Sequence, residues 1–162
     1  QFRQHTTQRK YLALAVGRVG KGTVISSLVR DRGDGRRGSA DDGKGKRAVT
    51  HVQPCEHFGN EYTLVECRLE TGRTHQIRIH LAESGHPICG ERVYTAPRGS
   101  TLKDQSLAPR VALHAAELGF VHPVTGEEIL FESRLPKDFK DVLRRLGKTC
   151  GREIVELSRS TK

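Results

Sequence analysis

Apolar and polar positions alternate with a period of two in several stretches of the chain, and each such stretch predicts a strand. Residues 10–16 (KYLALAV) and 23–29 (TVISSLV) are two of them, set around a turn punctuated by Gly17, Gly20 and Gly22. Residues 48–57 and 62–69 predict a hairpin, since Leu64, Glu66 and Arg68 alternate with Val65, Cys67 and Leu69. A further strand is predicted over 113–122, then a turn at His122-Pro123-Val124-Thr125-Gly126 and a return strand over 128–133. After Thr74 the period becomes helical: Ile77, Leu81 and Ser84 fall on one face, with Thr74 as N-cap and Gly85 as C-cap, and Pro87 prevents continuation. Pro136 opens a second, amphipathic helix carrying Phe139, Val142, Leu143 and Leu146. Residues 90–110, with Pro97, Gly99 and Pro109, predict an irregular loop. The expected fold is α+β: a mixed, mostly antiparallel sheet with helices packed against it, in one domain over residues 1–146. Residues 147–162 read as a polar, frayed tail.

One stretch stands apart. Residues 30–47 contain no apolar side chain except Ala40, so burial cannot offset the entropy of ordering them and a flexible basic loop is expected. Charge concentrates in the same third of the chain. Of a net +9, residues 1–47 hold 12 Lys and Arg against 4 Asp and Glu, while the remainder holds 16 against 15. A basic region on an otherwise neutral domain is the footprint of a polyanion, and nucleic acid is the expected partner. The hydrophobic fraction of 35% is low, but the polar excess lies mostly in this one stretch, so the rest can still form a core.

No apolar run approaches the roughly 20 residues needed to cross a bilayer, and no signal-peptide pattern opens the chain. A cytoplasmic setting with reduced thiols is the expectation for Cys55, Cys67, Cys89 and Cys150, which show no CxxC spacing. A zinc site from His51, Cys55, His57 and Cys67 is conceivable, but an extended strand would spread those ligands apart, so no metal is expected. No cofactor and no obligate protein partner are indicated.

The densest chemistry lies at residues 71–80, Thr-Gly-Arg-Thr-His-Gln-Ile-Arg-Ile-His. Two arginines, two histidines and a glutamine gathered at one turn and helix start point to a polar or anionic ligand. This segment resembles the T-G-R-x-H-Q-I-R-x-H signature of the RluA-like RNA pseudouridine synthases. Further segments follow in the family's order. Arg9-Lys10-Tyr11-Leu12-Ala13 resembles its K-x-Y-x-A strand. Gly85-His86-Pro87-Ile88 with Gly90, Glu91 and Tyr94 resembles G-x-P-I-x-G-D-x-x-Y, with Glu91 in place of Asp. Leu113-His114-Ala115 and His122-Pro123 resemble its L-H-A strand and H-P turn, and Leu135-Pro136-Lys137-Asp138-Phe139 its L-P-x-D-F ending.

The resemblance implies a pseudouridine synthase-like fold and the isomerisation of uridine to pseudouridine in ribosomal or transfer RNA, without metal or cofactor. An aspartate acts as nucleophile, the glycosidic bond breaks, and the uracil turns and reattaches through carbon 5. It further implies that Tyr11 stacks on the base and takes part in proton transfer, that Arg78 pairs with the aspartate, and that Leu113 forms part of an apolar floor. Arg73, His75 and Gln76 are placed as substrate-contacting donors, with fixing of the turn as the alternative reading for His75 and Gln76.

The chain departs from the family at the nucleophile. The H-R-L-D motif precedes the K-x-Y strand in the family, whereas no aspartate here follows Arg-Leu or precedes Tyr11. The chain also opens on Gln1. The expectation is a fragment that begins after the catalytic motif, inactive alone, with an exposed sheet edge near Tyr11 where preceding strands are missing. The alternative is a non-catalytic RNA-binding protein that retains the scaffold without the nucleophile.

Overall fold

The computed structural model describes residues 1, 6–40, 44–97 and 99–149. Seven strands and two helices follow one another as β1 (Gln8–Val16), β2 (Gly22–Val29), β3 (Gly38–Ser39), β4 (Lys46–Phe58), β5 (Tyr62–Leu69), α1 (Gln76–Glu83), β6 (Leu113–Val121), β7 (Glu128–Glu132) and α2 (Lys137–Thr149). The strands form one sheet in the order β3-β2-β4-β5-β1-β6-β7. Every pairing among the described residues is antiparallel, the limit of the mostly antiparallel sheet expected.

The expected hairpin over 48–57 and 62–69 is β4–β5, turning through Gly59 at φ 61°. Pro54 cannot donate to the ladder, and the register slips between Pro54 and Glu56 as a bulge. That bulge breaks the even spacing of His51, Cys55 and His57. His51 is bonded to Thr23 and Glu70 and His57 to Thr63, so the conceivable zinc set is not brought together.

β1 corrects the expectation of an exposed edge near Tyr11. It lies between β5 and β6, with Tyr11 opposite Cys67 on one side and Ala115 on the other, so the Tyr11 strand is interior to the sheet. The sheet's edges are β3 and β7. The alternation along residues 10–16 announces a strand but not its later partner, β6.

Register assigns the faces, because opposed residues point the same way. Arg9, Tyr11 and Ala13 share one face with Cys67 and Val65 of β5, with Thr50 and Val52 of β4, and with Leu113 and Ala115 of β6. Helix α1 packs on this face over β2 and β4. Its Ile79 and Ala82 bury against Leu28, Ala48 and Tyr94, while Ile77 and Leu81 join the principal core with Leu14, Leu64, Val65 and Ile88. Phe139, Val142, Leu143 and Leu146 of α2 complete that core, as the amphipathic pattern predicts. The helix runs three residues beyond 146, into what reads as tail, and residues 150–162 lie outside the described residues.

Two irregular stretches are tied down by polar bonds. Within residues 84–112, the Cys89 amide donates to the Leu14 carbonyl and the Ala112 amide to that of Cys89, continuing the ladder beside β1. Gly90 makes the approach possible: its φ is 77°, and a Cβ there would lie 2.2 Å from the Arg110 carbonyl oxygen. The described part of 30–47 is folded on itself. Asp31 accepts the amides of Gly33 and Gly35, Arg32 pairs with Asp34, and Ser39 donates its amide and hydroxyl to Glu83 of α1. Polar bonds thus take the place of the apolar contacts the stretch lacks. Residues 41–43 lie outside the described residues.

Candidate active site

The turn before α1 is built around one buried side chain. Gln76 is 2% exposed. Its carbonyl oxygen accepts the Thr71 hydroxyl at 2.8 Å and the Arg73 amide at 3.0 Å. Its amide nitrogen donates to the Val49 carbonyl at 2.9 Å and to the Thr50 hydroxyl at 3.0 Å. Thr71 in turn accepts the Val49 amide at 2.8 Å. The carboxamide is therefore spent on pinning the turn to β4. These bonds are the ones the turn-fixing reading of Gln76 calls for.

The same chain of bonds continues into the helix. Thr50 Oγ1 meets His80 Nδ1 at 2.9 Å, and Ser26 Oγ meets His80 Nε2 at 2.9 Å. Each neutral-ring nitrogen thus has a hydroxyl partner able to donate or accept as the tautomer requires. Burial holds this imidazole neutral, lowering its pKa from 6.5 to about 4.

Thr74 is not the N-cap. His75 occupies that position in the left-handed region (φ 59°) and makes no side-chain capping bond. Its ring is engaged elsewhere, with Nδ1 2.8 Å from the Tyr94 hydroxyl and the two rings edge to face. Burial, then the charges of Arg78 and Arg37, push the His75 pKa down, so the ring is neutral near pH 7.

Arg78 projects from the first turns of α1 onto Glu91. Nε and Nη2 donate to the two carboxylate oxygens at 2.6 and 2.7 Å, and the guanidinium lies over the Tyr94 ring, 5.0 Å from its centroid. Burial pushes the Glu91 pKa up, but the Arg78 hydrogen bonds and the backbone amides of Val93 and Tyr94 outweigh it and leave the carboxyl below its usual range. Arg73 is half-buried, with Nε on the Arg47 carbonyl at 3.2 Å. Arg36 reaches the Val93 carbonyl, so the 30–47 stretch borders this cluster.

Tyr11 and Leu113 are half-buried on the sheet face that carries α1, on neighbouring strands. Around Tyr11 that face is small and apolar, with Cys67 and Ala115 opposite it and Ala13 two residues on. A register shift on β6 opposite Lys10 and Tyr11 re-aims the strand there. Arg9 shares the face, its Nη2 on the Glu70 carbonyl at 3.0 Å. Gly72 is what lets it in, since a Cβ there would sit 2.2 Å from Arg9 Nη1. Among the described residues, no hydrogen bond or ring contact joins Tyr11 to Arg78. The structure thus gathers His75, Arg78, Glu91 and Tyr94 into one cluster, and Tyr11 and Leu113 lie on the sheet face over which α1 packs. Glu91 and Tyr94 carried no role in the sequence reading; both stand in the G-x-P-I-x-G-D-x-x-Y match, which was the signal.

The same fold occurs in pseudouridylate synthase domains of known structure. The human RNA pseudouridylate synthase domain-containing protein 4 superposes with a TM-score of 0.71 at 26% identity, covering 90% of this chain and 64% of that one. The human domain-containing protein 1 gives 0.70 at 22% identity, covering 93% and 68%, a likeness of fold alone. Residues 1–83 match the RNA pseudouridylate synthase family, and the chain belongs to it. It is 40% identical over 150 residues to ribosomal large subunit pseudouridine synthase D of Zymomonas mobilis, covering 90% of this chain and 47% of the relative. It is 41% identical over 150 residues to the uncharacterised RNA pseudouridine synthase YlyB of Bacillus subtilis, with 91% and 47% covered. The chain spans about half the length of the curated relatives it matches.

Proposed function

We propose that this chain supplies the base-holding and arginine-bearing part of an RNA pseudouridine synthase acting on ribosomal RNA in the cytoplasm. The observation that carries the reading is the placement of Arg78 on a turn pinned by Gln76, on the sheet face that also bears Tyr11 and Leu113. The reaction is an isomerisation: the C1′–N1 bond breaks, the uracil turns, a C1′–C5 bond forms, and the proton leaving C5 is balanced by one gained at N1. No external reactant is consumed. The face around Tyr11 suits a flipped uracil, which stacks on an aromatic ring over an apolar floor. The Tyr11 hydroxyl is the group available to carry the C5 proton. A guanidinium held in place keeps a neighbouring nucleophilic carboxylate ionised and oriented. Ribosomal RNA is favoured over transfer RNA by the relatives named as ribosomal large subunit synthases.

A second reading is a non-catalytic RNA-binding domain that keeps the scaffold and its basic first third, where 12 Lys and Arg stand against 4 Asp and Glu. One experiment separates the two. The chain is joined behind the N-terminal part of the Zymomonas relative, up to the start of the match, and pseudouridine is measured in ribosomal RNA. The expected result is turnover by the chimera, none by the 162-residue chain, and sharp loss on Arg78→Lys or Tyr11→Phe. A chimera that binds RNA tightly and makes no pseudouridine supports the binder.

A further inference from the structure

We infer that Glu91 is a positioning residue for Arg78, holding the guanidinium so that one edge of its fork stays open to the nucleophile. The inference rests on the function proposed above. Glu91 stands where the family pattern has the shorter Asp, and its side chain is 1% exposed. It follows Gly90, whose left-handed backbone and closeness to the Arg110 carbonyl leave no room for a side chain.

The carboxylate is held from several directions. Oε1 accepts the amides of Arg92, Val93 and Tyr94 at 2.9, 2.8 and 3.3 Å, and also Arg78 Nη2 at 2.7 Å. Oε2 accepts Arg78 Nε at 2.6 Å. An anion with this many donors is ionised and has no rotational freedom left. Arg78 is correspondingly restrained: one edge of the fork lies on Glu91, and Tyr94 lies under the guanidinium plane. Tyr94 is itself tied to His75 through its hydroxyl. A guanidinium carries five N–H donors in a plane, so an edge including Nη1 remains for a second carboxylate.

A purely structural ion pair is the competing account. It is the weaker one, because the desolvation of a buried pair largely cancels its Coulombic gain and apolar packing would serve stability as well. What apolar packing cannot do is set the angle of a planar cation.

The test has two arms. In the 162-residue chain, labelled with 15N-arginine, the Arg78 Nε–H resonance is expected to be protected from exchange in the wild type and in Glu91→Asp. It should be lost in Glu91→Gln, and protection retained there would count against the role given to the carboxylate. In the chimera described above, Glu91→Gln is expected to lower kcat by about 100-fold, the scale of a misplacement of about 1 Å, with KM little changed. Glu91→Asp should recover most of that loss, and the Glu91→Gln/Arg78→Lys double variant should be no worse than Arg78→Lys alone. An unprotected Nε–H in the wild type overturns the inference. So does an unchanged kcat in Glu91→Gln where Arg78→Lys is impaired. An unimpaired Arg78→Lys instead overturns the place given to Arg78 in the proposed function, and with it the role of Glu91.

Discussion

At the scale of single residues, the chain spends its buried polar groups on holding the motif rather than on facing solvent. His80 is fully enclosed, with both ring nitrogens engaged by Thr50 and Ser26. Its folded pKa, about 4, lies below the value of 6.5 for the unfolded chain. Between those values the unfolded imidazole takes up a proton that the folded one refuses. Stability should therefore fall as pH drops from about 6.5 toward 4 and gain no further slope from this group below that. The full effect is on the order of 3 kcal/mol. His75, also held low by burial, adds in the same sense. Urea unfolding across this window measures the slope, and His80→Gln should flatten it. Histidine ring NMR checks the cause directly: a His80 ring titrating near pH 6.5 in the folded chain would remove the explanation.

At the scale of elements, the irregular connection between α1 and β6 matters as much as the helix, because it carries Glu91 and Tyr94. Gly90 is its fixed point. Gly90→Ala should cost about 1–3 kcal/mol through crowding of the Arg110 carbonyl, and roughly 1–2 kcal/mol more from the left-handed backbone. A chemical-denaturation midpoint unchanged from the wild type would contradict this account of the turn. How far these elements could be read in advance depended on where their partners lie. The β4–β5 hairpin and α2 were legible because alternation or an apolar stripe settles each locally. The start of α1 was not. Thr74 has the better capping side chain, yet Gln76 fixes the turn through Val49 and Thr50, and the His75 ring is drawn to Tyr94 from a distant segment. Tyr11, Arg78 and Leu113 could be named from ordered motifs, whereas the grip of Glu91 on Arg78 is a tertiary contact that no spacing announces. The bonds from Asp31 to its own loop and from Ser39 to Glu83 could not be read from the apolar pattern of 30–47.

At the scale of the whole molecule, the net charge of +9 gathers in the first third of the chain, and the structure brings part of it to the border of the site. Arg36 and Arg37 lie beside the 91–94 turn, one bonded to the Val93 carbonyl and the other acting electrostatically on His75. Replacing both with Ala should weaken RNA binding and reduce the salt dependence of the association constant by roughly 0.7 in slope for each phosphate no longer neutralised. Filter binding over a salt series checks it, and an unchanged slope would remove these residues from the interface. The central place of β1 has a consequence for the order in which the molecule forms. Among the seven strands β1 is the earliest in sequence, yet its two sheet neighbours are β5 and the much later β6. Loop closure over such separations is slow, and a sheet of this connectivity folds slowly. Until β6 emerges, the Tyr11 strand keeps a bare flank of unpaired amides and carbonyls open to any extended peptide nearby. The face proposed to hold the base is therefore complete only once β6 has been made, and a truncation before Leu113 would turn the Tyr11 strand into a seed for misassembly.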